Sequence, residues 1–183
     1  MEKIIKEVFE RAKKIFLSPQ AALTEVKSEE MNIADTMKNY VAIIAAIPAA
    51  ALIIGSFGRA DFFNNLVFAI LVYVMSLGGV ILLGKIVNAL AEKFVAANDE
   101  ANAFKLAVYC TTPMFIYRIL NINPKLSLFA LLVGILHGIY IIYVGLPILM
   151  DTSEEKNIPF IAASVGITVA LIFFIGFIAM RVL

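Results

Sequence analysis

Charge is what this sequence has least of. Only 16% of its 183 residues are Asp, Glu, Lys or Arg, against about 25% in an ordinary soluble domain. With 62% hydrophobic residues and a mean hydropathy of +0.94, a water-soluble globular domain is excluded and a membrane protein is expected. A single cysteine, Cys110, rules out an intramolecular disulfide, and with a single histidine, His137, it excludes the usual Cys/His zinc sites. No metal and no cofactor are therefore expected. A net charge of +1 leaves no basic footprint for a nucleic acid. A phosphate-cradling glycine loop, an HExxH pair, a Ser/His/Asp set and a pair of intramembrane carboxylates are all missing. These absences remove the common enzyme classes, and the chain is read as not an enzyme.

What charge there is lies mostly at one end: 14 of the 29 charged residues fall within 1–38. Beyond them, uncharged stretches recur at the length, about 20 residues, that carries a helix across the hydrocarbon. They predict spans at about 40–58, 62–90, 104–121, 126–150 and 158–181. The fold class expected is all-α: a polytopic membrane helix bundle with five transmembrane helices (39–183), preceded by a cytoplasmic N-terminal region (1–38) with an amphipathic helix at 1–17. The third span is the shortest and needs Lys105 and Arg118 to send their stems to opposite headgroup layers. Were it re-entrant instead, four spans would remain and the C-terminus would change side. Asn121-Ile122-Asn123-Pro124 is turn chemistry and predicts a hairpin between spans three and four. Eleven of the 15 Lys and Arg fall on the N-terminal side of this topology, which predicts a cytoplasmic N-terminus and an external C-terminus.

In the N-terminal helix, Ile4, Ile5, Val8, Phe9, Ala12, Ile15 and Phe16 recur at helical spacing while charged residues fill the other face. Charges throughout the segment argue against a cleaved secretory signal. Lys3, Lys6, Arg11, Lys13 and Lys14 form the candidate surface, either for the headgroups of membrane lipid or for a cytosolic or membrane protein partner. Ser18-Pro19 ends the helix, and a second short amphipathic piece fits between Ser18 and Lys38.

Inside the spans, His137 stands near the midplane, with Ser76 and Tyr117 at comparable depth and able to hydrogen-bond it. An ionisable group there is a functional candidate by default, and the three residues form the candidate intramembrane polar site. The simpler reading is a neutral histidine joining helices, because Gly134 and Gly138 flank it as a small-residue packing element. Lys85 and Arg118 read as interfacial side chains. The small-residue faces suit contact within one bundle or between copies in a homo-oligomer.

The sequence resembles the Yip-type family of Ypt/Rab-interacting membrane proteins. The resemblance runs through Phe16-Leu17-Ser18-Pro19, Ala107-Val108-Tyr109 with Pro113, and Gly138-Ile139-Tyr140-Ile141-Ile142-Tyr143-Val144-Gly145-Leu146. It implies a compact five-helix bundle, a cytosolic N-terminus and a non-enzymatic role in organising membranes, as in proteins that bind prenylated GTPases. The long cytosolic region and the acidic, Tyr-Gly-containing motif of those proteins are missing, so GTPase binding is not carried over. The chain resembles the shorter prokaryotic members, which places it in a prokaryotic cytoplasmic membrane. The reading is a membrane-organising, trafficking-like adaptor or scaffold; the alternative is a small transporter or channel for an ion or small solute, with a midplane site at His137.

Overall fold

A computed structural model describes residues 2–58 and 61–182, with side chains as far as Leu171. Arg59 and the side chain of Arg181, both used in the orientation argument, lie outside it. The elements are α1 (Glu2–Leu17), α2 (Pro19–Lys27), α3 (Ile33–Thr36), α4 (Ala42–Ser56), α5 (Phe62–Leu90), α6 (Glu100–Tyr117), α7 (Ser127–Met150) and α8 (Glu154–Val182). A π turn, Met37–Val41, joins α3 to α4. Among the described residues every regular element is helical. Among the described residues three helical stretches, Ile33–Ser56, Phe62–Leu90 and Pro124–Met150, are long and apolar enough to cross a membrane.

At the centre stands α6, packed against α1, α4, α5 and α7. Its start is fixed by Asp99, whose carboxylate accepts from the Asn102 backbone N–H at 2.9 Å. Its end tightens into a 3₁₀ turn, Arg118–Ile122. The following Asn123 caps a second 3₁₀ turn by accepting from Lys125 N at 3.2 Å. The chain reverses through these turns, so α6 and α7 form the hairpin that the Asn/Pro turn chemistry predicts.

Glycines set how closely that hairpin closes. A Cβ on Gly138 would stand 2.8 Å from the Cys110 carbonyl oxygen, and one on Gly134 2.9 Å from the Met114 Cα. At those positions backbone meets backbone, which only glycine permits. In contrast α5 leaves Ile70, Leu71, Val74 and Ile81 exposed. Its Gly78 has open space where a Cβ would be.

Inside α6, Pro113 removes a backbone donor. The hydroxyls around it serve other carbonyls: Thr111 donates to Ala107 and Val108, and Thr112 to Val108. Since the Thr112 proton goes to Val108, the Tyr40 hydroxyl is the donor in its 3.1 Å contact with Thr112. That buried bond ties the start of the first long helix to the central one.

Candidate functional site

The N-terminal segment folds as a helical hairpin. Helix α1 buries Val8, Ala12 and Ile15, and α2 buries Pro19, Ala22, Leu23 and Val26, each set at helical spacing. Ser18 turns the chain between the two with a non-helical backbone (φ −145°, ψ 62°): its N–H closes α1 on Lys14 O at 2.9 Å, and its carbonyl opens α2 by accepting from Ala22 N at 3.1 Å. Arg11 pairs with Glu29 at 2.8 Å, and Lys14 pairs with Glu25. With partners running in opposite directions along the chain, the two helices are antiparallel.

The hairpin is seated on α6 and α7 rather than free. Leu23 lies against Gly145, and Lys27 reaches Asp151 at 2.7 Å. Lys105 is 4% exposed and donates to Lys27 O at 3.1 Å and to Asn102 Oδ1 at 3.2 Å. This corrects the expectation that Lys105 extends to the headgroups: it latches the base of the hairpin to α6.

At the other end, the hairpin tip comes to the middle of α7. The Phe16 ring lies 4.7 Å from that of His137, edge-on, and 5.3 Å from that of Tyr117.

Of the five basic residues in the candidate surface, three are in ion pairs: Lys3 with Glu7 at 3.9 Å, Arg11 with Glu29 and Lys14 with Glu25. Burial works to lower the Arg11 pKa, but the Glu29 hydrogen bond and the neighbouring charges raise it on balance. The hydrogen bond from Lys14, reinforced by its charge, holds the Glu25 carboxylate below its ordinary range. Lys6 and Lys13 have no ion-pair partner among the described residues. They flank an exposed apolar pair, Ile5 and Phe9, the latter 65% exposed.

The intramembrane candidates separate. His137 and Tyr117 share one aromatic cluster, their rings 6.0 Å apart, with the Tyr140 ring 6.4 Å from the imidazole. No hydrogen bond joins them. Ser76 is elsewhere, in the wall of a cavity that His137 does not line, and its hydroxyl donates to Val72 O at 2.7 Å. Sequence depth placed the three at one level but could not tell which side of α6 each occupies. Phe16 is the member that the sequence reading did not assign to this site. The signal was its position at the end of the apolar series of α1. Among the described residues no group of three His, Cys, Asp or Glu is placed to hold a metal ion.

The sequence is 25% identical over 171 residues to the inner membrane protein YohC of Escherichia coli K12, covering 86% of this chain and 88% of the relative. The YohC of Escherichia coli O6:H1 matches to the same extent. No solved structure matches significantly. The Yip1 domain itself matches residues 13–178, from near the end of α1 almost to the end of α8. The chain is a membrane protein that belongs to the Yip1 domain family.

Proposed function

We propose that this protein is a non-enzymatic scaffold that organises the membrane or a membrane-associated partner from its cytoplasmic face. The observation that carries this reading is the α1 surface, where Ile5 and Phe9 are exposed beside the unpaired Lys6 and Lys13. An apolar strip flanked by lysines suits a headgroup layer or an acidic partner surface. The ion pairs and the Lys105 latch hold that surface on the bundle, so whatever it engages is held at a fixed place relative to the membrane helices.

The proposal includes five crossings, by α3–α4, α5, α6, α7 and α8, with the N-terminus in the cytosol. Support comes from the three long apolar helices, from the lysine-rich end of the bundle and from family membership. The inner-membrane relative supports a cytoplasmic-membrane location.

A photoreactive residue at position 9 of the full chain tests the reading. Crosslinks to a protein partner are expected from that position and not from buried position 22, and Lys6→Glu with Lys13→Glu should suppress them. Crosslinking to lipid alone would refute the adaptor role. The transport alternative gains nothing from the placement of Ser76. It would come first if proteoliposomes showed proton or cation flux that His137→Ala abolished with helicity intact.

A further inference from the structure

Between α5, α6, α7 and α8 lies a partly open cavity of about 430 Å³, within the roughly 300–1,000 Å³ of small-molecule sites. Along α5 it runs from Phe68 to Leu83, about 22 Å at the helical rise. That exceeds the roughly 15 Å that one leaflet contributes to a 30 Å hydrocarbon core.

Its wall is more apolar than its composition suggests. Three hydroxyl side chains line it, and each is spent on its own helix: Ser76 on Val72 O, Thr111 on Ala107 and Val108 O, Thr168 on Ser164 O. The Cys110 thiol likewise turns to Ala107 O. Water would find few partners in such a space, and vacancy would forfeit dispersion contacts along its whole length. In a bilayer the material at hand to fill it is an acyl chain.

The one charged residue of the lining is Arg118, half-buried and without a hydrogen-bond or ion-pair partner among the described residues. Its place in the cavity follows from the packing of α5 on α6. A Cβ on Gly84 would meet the Phe104 ring at 2.7 Å, so moving along α6 from Phe104 to Arg118 corresponds to moving along α5 back toward Phe68. Arg118 therefore marks the end of the cavity remote from Lys27, Lys105 and Asp151. A guanidinium at the end of an apolar channel is complementary to an anionic head on a hydrocarbon tail.

We propose that this cavity binds one anionic phospholipid, with an acyl chain between α5 and α7 and the headgroup phosphate paired with Arg118. The site is independent of the α1 surface and lies at the other end of the bundle from the Lys105 latch.

The test uses the full chain, delipidated in detergent and titrated with phosphatidylglycerol or phosphatidylcholine of identical chains, with bound lipid counted by native mass spectrometry. One phosphatidylglycerol is expected to bind about ten-fold more tightly than phosphatidylcholine, whose choline cation offsets the phosphate charge that Arg118 meets. Arg118→Gln should remove that preference and Arg118→Lys should keep most of it. Ser76→Phe, which fills the channel, should weaken both lipids alike, while Lys6→Gln with Lys13→Gln should change neither. Helicity by circular dichroism identifies variants that fold, and the lysine variant at 118 together with Ser76→Phe decides the matter if Arg118→Gln does not. The proposal is overturned if the preference survives Arg118→Gln, or if Ser76→Phe binds both lipids like the parent. Displacement of the lipid by millimolar inorganic phosphate would also overturn it, showing an anion site instead of a lipid site.

Discussion

Helices α5 and α6 invert the rule learned from soluble proteins. The most apolar window of the described chain lies in α5, with mean hydropathy 2.7, yet only 17% of that window is buried. Helix α6 begins with Glu100, carries Lys105, Thr111 and Thr112, and buries eleven of its 18 residues. In water the greasier helix would take the centre. In a membrane, lipid accepts apolar side chains as readily as protein does, so hydrophobicity no longer selects what goes inside. Close backbone approach and satisfied polar groups do. Helix α6 offers both, through its contacts with Gly134 and Gly138 and through Lys105, Thr112 and Cys110.

The sharpest way to break this comparison is to add one side chain on the face of α7 that meets α6 and another on the surface of α5. Gly138→Val would drive its new carbons into the Cys110 carbonyl, which cannot rotate away. A loss of about 3 kcal/mol or more is expected, at the upper end of overpacking costs. Gly78→Ala on α5 meets open space and should leave the melting temperature unchanged or slightly raised, since alanine is the better helix former. Loss of helicity on heating in detergent reads both. Equal melting of the two variants would remove the distinction between the helices.

A smaller contrast concerns the lysines. Lys105→Met leaves the Lys27 carbonyl and Asn102 Oδ1 without their donor, at a cost of about 1.5–3 kcal/mol for the loss of part-buried hydrogen bonds to a charged group. Lys85 is exposed, so Lys85→Met should stay within about 0.5 kcal/mol. Protease sensitivity of α1–α2 should rise in the first variant and not in the second.

The smallest effect expected is one of pH on the hairpin. Because Lys14 depresses the Glu25 pKa in the folded state, the pair stabilises the hairpin above the unfolded carboxylate pKa of about 4.3. That contribution fades as pH falls through the lower folded value. Amide protection factors in α1 and α2, taken against the intrinsic exchange rate at each pH, should therefore fall on going from pH 6 to pH 3, and by less in Glu25→Gln. An identical fall in both proteins would show that Glu25 takes no part.

Much of α1 was legible, because its apolar residues recur with the helical period and Ser18-Pro19 marks its end. Its seat was not. An apolar stripe reads the same whether it faces lipid or protein, and the residues that receive it, such as Tyr117 and His137, are about a hundred positions away or more. The polar cluster divides along the same line. Depth along a helix follows from counting residues, so His137, Ser76 and Tyr117 could be placed at one level. Which side of α6 each occupies depends on how four helices pack around it. Phe16 beside His137, and Ser76 across the bundle, are consequences of that packing.

The sequence by itself determined the membrane class, the amphipathic start, the α6–α7 turn and the charge asymmetry, because each rests on local period, composition or turn chemistry. Only the tertiary structure decided that α6 is the centre, that Lys105 is a latch and that Arg118 closes an apolar cavity. Lipid exerts almost no hydrophobic preference among apolar faces, so these arrangements are set by backbone approach and by the few polar groups that must find partners, and neither is written in a hydropathy profile.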